Sequence, residues 1–114
     1  MQKLSKVEDL LKDIPGAVGV GEFSDDGKLL FYTDNLKEQA AEYSAMLCAT
    51  IKQLASTMAK GWDMYSGQEG FYPILGFAVG CGKYVAMVMG NVAVFAELEK
   101  ADLDKTFEIM SNYV

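Results

Sequence analysis

The chain contains neither histidine nor arginine. The first absence removes the usual general base near neutral pH and the commonest metal ligand. The second removes the bidentate clamp for phosphate and carboxylate groups. Positive charge is scarce as well, with 10 lysines against 16 acidic residues. Phosphate contacts need a basic patch, so no nucleic-acid partner is expected. An acidic surface also repels anionic membranes. Cysteine is limited to Cys48 and Cys81, in no metal or disulfide spacing. That scarcity fits a reducing, cytoplasmic setting. Met1-Gln-Lys-Leu-Ser lacks an apolar core segment, so no signal peptide is expected. No uninterrupted apolar run approaches the ~18–20 residues of a spanning helix, so membrane insertion is not expected. Nothing in these residue types calls for a metal, a cofactor or a catalytic group.

What the chain does have is a long stretch, Gly70 to Ala96, whose only charge is Lys83. It reads as three strands, Ile74–Gly80, Tyr84–Met89 and Val92–Ala96. Short apolar runs bounded by turn residues fit strands covered on both faces. Gly80-Cys81-Gly82 and Gly90-Asn91 supply the turns, where positive φ is needed. Pro73 suits the start of a strand, where a missing N–H is tolerated. The 114 residues make one domain, 1–114, long enough to bury roughly 65% of the unfolded surface.

Upstream, Ser5-Lys-Val-Glu8 is a capping-box pattern that starts a short helix. Leu4, Val7, Leu10, Leu11 and Ile14 form its apolar face, and Pro15-Gly16 stops it. Ala17–Phe23 and Lys28–Thr33 read as two strands around the turn Ser24-Asp25-Asp26-Gly27. Asp25 and Asp26 are read as solvated turn acids, since Asp-Gly is ordinary hairpin chemistry. Gly16-x-x-Gly19-x-Gly21 is not a phosphate loop, because it lies inside a strand. Instead Ala17, Gly19 and Gly21 share one strand face, as do Gly76, Ala78 and Gly80. Bare faces of this kind admit a close neighbour, and the long helix is expected to cover both.

That helix is predicted over Leu36–Lys60, with Asn35 as N-cap and Glu38 completing the cap, and Asp63–Gly70 is read as a polar loop. At 100° per residue it shows two adjacent apolar stripes. The bulky one is Leu36, Ala40, Tyr43, Leu47, Ile51, Leu54 and Met58, with Trp62 just beyond. The small one is Ala41, Ala45, Cys48, Ala55 and Ala59, interrupted by Lys37 and Lys52. Together they span about 200°, against the ~100° that one packing face needs. One stripe can cover the sheet; the other needs a second partner, for which another copy of the chain is the better candidate. A last helix follows Asp102 as N-cap, with Leu103, Phe107, Met110 and Val114 on its apolar face.

The order is helix, two strands, long helix, three strands, helix. With the length and the very long second helix, it resembles the roadblock family, which includes a dynein light chain and bacterial regulators of small GTPases. Phe77-Ala-Val-Gly, Gly82-Lys-Tyr, Val88-Met-Gly-Asn, Val94-Phe and Lys100-Ala-Asp resemble an uncharacterised prokaryotic branch of it. Gly21-Glu-Phe-Ser and Asp26-Gly-Lys are similar too. The resemblance covers about Leu4 to Tyr113. It implies an α+β sandwich: a five-stranded antiparallel sheet, the long helix on one face and the terminal helices on the other. It also implies a homodimer that pairs the third strands and the long helices. Leu47, Ile51, Leu54 and Met58, with Ile74, Leu75 and Phe77, then form the interface.

Three functions follow from these residues. The first is a non-enzymatic homodimeric interaction or scaffold module, acting on a small GTPase or a multiprotein complex. The second is a small-ligand sensor of the profilin-like, PAS or GAF kind, resting on Trp62, Tyr65, Phe71 and Tyr72. The third is a thiol enzyme at Cys81, which lacks the neighbouring base that activation needs.

Overall fold

A computed structural model describes residues 2–33 and 35–113, with side chains from Glu8 onward. The elements are α1 (Gln2–Asp13), β1 (Ala17–Phe23), β2 (Leu29–Tyr32), α2 (Glu38–Ser66), β3 (Gly76–Cys81), β4 (Tyr84–Met89), β5 (Val92–Glu97) and α3 (Leu103–Ser111). The strands form one antiparallel sheet in the order β2-β1-β5-β4-β3. This is the expected α-ββ-α-βββ-α order, with β2 and β3 as the two edges. No helix among the described residues is long and apolar enough to cross a membrane.

Each face of the sheet carries its own core. On one face Leu10 and Ile14, from α1 and its end, and Met110 of α3 pack against Val20, Val85, Met87, Val92, Val94 and Ala96. On the other, Ala45, Cys48 and Ala49 of α2 pack against Phe23, Val88 and Ala93. The continuous apolar runs of β4 and β5 follow from this, because successive side chains enter opposite cores. Thr106 of α3 is fully buried, and its hydroxyl has no hydrogen-bond partner among the described residues. An unpaired buried hydroxyl costs stability, whereas a methyl of the same shape does not. Thr106→Val is therefore expected to raise the unfolding free energy by about 1 kcal/mol, read from urea titrations.

Several boundaries differ from the sequence reading. α1 already runs from Gln2, so Ser5 lies within the helix and does not begin it. Gln2-Lys3-Leu4 are good helix formers and extend it. The Leu4 and Val7 side chains lie outside those described. β2 is shorter at both ends: Lys28 N–H turns back to the Ser24 hydroxyl, and Thr33 N–H bonds to Val20 O. β3 starts at Gly76, opposite Met89, the last residue before the Gly90-Asn91 turn. Ile74 and Leu75 therefore precede the strand, with no β4 residue left to pair with. The preceding turn is Gly82-Lys83, since Cys81 pairs with Tyr84. Gly82 and Gly90 have positive φ while Lys83 and Asn91 do not, the pattern of a II′ hairpin. In α3, Asp102 caps the helix by accepting from Lys105 N–H at 3.0 Å. Leu103, expected on the packed face, is exposed.

Candidate functional site

α2 is a 29-residue helix, roughly 44 Å at 1.5 Å per residue, matching the 45 Å long dimension of the molecule. It differs from the predicted Leu36–Lys60 at both ends. Lys37 stands at the N-cap without a side-chain bond. Asn35 faces away from that role: it donates to Val18 O and accepts from Thr33 Oγ1. Leu36 precedes the helix and packs over Gly19, where a Cβ would lie 2.5 Å from Leu36 Cδ2. At the other end Gly61 does not stop the helix. Gly67, with φ +77, is the C-cap, so Asp63–Ser66 belong to α2 and not to a loop.

The two stripes separate as their sizes require. Ala41, Ala45, Cys48, Ala49 and Ala59 are buried, because only small side chains let the helix settle on the sheet around Gly21 and Ala93. Ala49, outside the predicted stripe, joins it, while Ala55 is half-buried. The bulky stripe finds no partner of that kind: Tyr43, Leu47, Leu54, Met58 and Trp62 are exposed, Leu54 at 62%, and Ile51 is half-buried. Leu75 is 78% exposed, Ile74 half-buried, and Phe77 half-buried against the helix-side core.

β3 continues this apolar surface. It has six residues, none charged, in unbroken register with β4. The opposite edge, β2, is four residues long, and its pairing with β1 is bulged, the register shifting between Glu22 and Phe23 of β1. Short, bulged edges resist pairing, whereas long, flat, uncharged ones invite it. Ala78, Val79, Gly80 and Cys81 of the β3 edge are all exposed.

The bare strand faces turn out to serve opposite sides of the sheet. Gly21 lies beneath α2 and Gly19 beneath Leu36 just before it, but Ala17 does not share their face: a register shift between Ala17 and Gly19 turns it toward the terminal-helix core. Gly76, Ala78 and Gly80 are not beneath α2 either: they pair with Met89, Met87 and Val85 on the terminal-helix face. A Cβ at Gly76 would overlap Val88 O and meet Phe107 Cε1 at 3.0 Å, whereas one at Gly80 would meet nothing.

Polar contacts fix α2 lengthwise. Lys52, read as an interruption of the small stripe, donates to Asp25 Oδ1 at 3.1 Å and to Asn91 Oδ1, and Asn91 Nδ2 donates to Asp25 at 3.0 Å. The helix is thereby joined to both the β1–β2 and β4–β5 turns. Asp25 is thus more than a solvated turn acid; only the fold brings these residues together. The hydrogen bond from Lys52, then that from Asn91, then the lysine charge hold its carboxyl below 3.8. A carboxyl depressed in the fold stabilises above its unfolded value and loses that contribution as pH falls through the folded one. Asp25→Asn should therefore melt below the wild type at about pH 5.5, with the gap narrowing as the pH falls below 3.8.

At the far end of α2 an aromatic cluster is held in place. Asp63 accepts the N–H groups of Phe71 and Tyr72 at 2.8 and 3.3 Å, and the Trp62 and Phe71 rings lie 5.7 Å apart. Lys60 Nζ sits 5.0 Å from the Tyr72 ring centre. Cys81 is exposed at the end of β3, its thiol 4.0 Å from Val79 O. Cys48 is buried under α2, and burial pushes its thiol up, away from the reactive thiolate. Between α2 and the sheet the remaining gap is about 20 Å³, lined by Gly21, Phe23, Ala45 and Cys48 among others.

Residues 6–112 match the profile of a family described as "Uncharacterized conserved protein (DUF2173)". No relative is found among curated proteins. Among solved structures, the roadblock/LC7 domain from Streptomyces avermitilis is similar, with TM-score 0.79 at 16% identity over 96% of this chain and 89% of that one. Myxococcus xanthus MglB gives 0.75 at 14%, covering 99% and 89%. A structure titled "MglB with tetrameric arrangement" gives 0.76 at 17%, covering 98% and 82%. At these identities the likeness establishes the roadblock fold.

Proposed function

Since the chain belongs to the DUF2173 family of conserved proteins and has the roadblock fold, we propose that it is a non-enzymatic homodimeric module that binds and regulates other proteins. One observation carries this reading: the larger of the two apolar stripes on α2 stays exposed beside an unprotected sheet edge. Fully burying a large apolar side chain contributes about 1.5–3 kcal/mol; Leu47, Leu54, Met58 and Trp62 are 38–62% exposed in the single chain, so in two copies each adds about half of that. That is the scale needed to offset the ~4–15 kcal/mol entropic cost of association. Exposed surface of this kind marks an interaction site. The interface we propose comprises Leu47, Ile51, Leu54, Met58, Ile74, Leu75 and Phe77. The tetrameric MglB structure supports assembly as a theme of the fold. A small GTPase, implied by the roadblock resemblance, is the partner class we favour.

The small-ligand sensor fits the geometry less well. The gap under α2 holds little more than one water, and the larger concavities, about 440 Å³ at the β3–β4 turn, 420 Å³ against β2 and 400 Å³ along α2, are open grooves that Trp62, Tyr65, Phe71 and Tyr72 do not line.

Native mass spectrometry at low micromolar concentration tests self-association. A mass twice 12.5 kDa supports the proposal; a monomer refutes it. The GTPase link is tested separately, by calorimetric titration with Ras-like GTPases of the same cell loaded with GDP or a non-hydrolysable GTP analogue. Binding that depends on the nucleotide supports the link; no binding in either state removes it.

A further inference from the structure

We propose that the groove between β2 and the start of α2 takes a cationic amphipathic helix of another protein. The inference rests on the reading of the chain as a protein-binding module, but not on its self-association. β2 is the edge opposite β3, with three strands between them. The groove holds about 420 Å³ and is lined by Leu29, Leu30, Phe31, Tyr32, Glu38 and Glu42. Its strand side is apolar, and its shape comes from Leu30. One step along β1, from Glu22 to Phe23, moves the partner in β2 two steps, from Phe31 to Leu29. Leu30 is therefore the extra residue of the bulge, 55% exposed and outside the ladder with β1. A broken edge ladder disfavours an added strand. An occupant must be held by side chains instead.

The helix side supplies the charge. Glu38 and Glu42 are exposed, one turn apart, and neither has an ion-pair partner among the described residues. Like charges at this spacing repel each other. No lysine lines the groove. Met46 follows one turn later, 50% exposed and beside Gly27 of the β1–β2 turn. Leu30 and Met46 belong to neither core, and neither lies in the interface proposed between copies. Two carboxylates on Cβ atoms about 5–6 Å apart match lysine or arginine side chains one turn apart on a second helix. An apolar stripe on that helix then covers Leu30, Tyr32 and Met46, the helix-in-groove mode of recognition. Charge complementarity selects this occupant over a further copy of the chain, whose net charge is -6.

The probe is a synthetic peptide of about 15 residues, with leucine on one helical face and lysine on the other. Its binding to the full chain is read by fluorescence anisotropy. Glu38→Lys/Glu42→Lys should weaken binding at least about ten-fold, since two attractive contacts become repulsive. Asp104→Lys/Glu108→Lys makes the same change of charge on an exposed acid pair of α3 with equal spacing. It should alter the affinity less than about two-fold, because salt screens a distant charge. Equal losses in the two double variants reduce the interaction to net charge and overturn the proposal. Tighter binding of a peptide of alternating valine and lysine, the pattern of a strand, overturns it as well. A second measurement needs no variant. Amide shifts on addition of the helical peptide should centre on residues 29–32 and 38–46, and shifts centred elsewhere overturn the groove. Native mass spectrometry of the same samples keeps the two readings apart. A dimer that does not bind the peptide removes the groove and leaves self-association standing, whereas a monomer that binds it through these residues removes self-association and keeps the groove.

Discussion

Leu54→Asp is expected to convert the protein into a folded monomer. Leu54 projects from the middle of α2 with 62% of its surface open, so the single chain loses little when it is replaced. The helical cost of aspartate in place of leucine is only about 0.5 kcal/mol. The dimer loses far more. Each copy would bring an ionised carboxylate into an apolar interface with no cation to meet it, at a cost of several kcal/mol. A dissociation constant raised at least ~100-fold is the expected result, since each 1.4 kcal/mol is tenfold. Native mass spectrometry at low micromolar concentration should show a single chain, and circular dichroism an unchanged fold. Gln53→Asp is the matching control, one residue away and on the side of the helix that faces the Asp25 turn. It should leave the dimer intact. A folded Leu54→Asp dimer would remove the bulky stripe from the interface.

The second large effect is expected at Gly76. Its missing side chain makes room for a backbone carbonyl, Val88 O, and for the edge of the Phe107 ring. A ring can turn aside, but a carbonyl in the β3–β4 ladder moves only if the strands part. Gly76→Ala should destabilise by about 2–3 kcal/mol, the upper part of the range for overpacking. At this chain length that lowers the melting temperature by roughly 10 °C at fixed protein concentration. Gly80→Ala, four residues along the same strand face, meets open space and has no positive φ to relieve. It should be neutral or slightly stabilising, because it restricts the unfolded chain. Two glycines of the same strand and face thus separate by about 2 kcal/mol or more, and melts of the two variants side by side read the difference.

These two residues show where sequence reasoning succeeds and where it stops. Leu54 is placed on the bulky stripe by helical periodicity alone, because a rotation of 100° per residue is a local property of the chain. The same periodicity separates the small stripe from the bulky one, and the structure keeps them apart. Gly76 is different. Alternation says that Gly76, Ala78 and Gly80 share a face, but not which face. That depends on the register with β4, whose Met89, Met87 and Val85 face the terminal helices. Lys52 shows the same limit: its reach to Asp25 and Asn91 joins residues 27 and 39 positions away. Gly61 and Gly67 show it for helix ends. Either glycine can follow a helix, and only the conformation at Gly67, with φ +77, identifies the true end.

By itself, then, the amino-acid sequence determined the order of the elements, the double burial of β4 and β5, the two-stripe helix and the resemblance to the roadblock family. The first three rest on composition and on periods of two or 3.6 residues, which each segment carries within itself; the resemblance rests on the element order and on short motifs such as Phe77-Ala-Val-Gly. The tertiary structure alone decided which stripe meets the sheet, that the uncharged β3 stands at an edge, and that Gly76, Ala78 and Gly80 face the terminal helices. Those outcomes depend on strand order and register. Both are set by pairings between residues distant in the chain, and no local period encodes them.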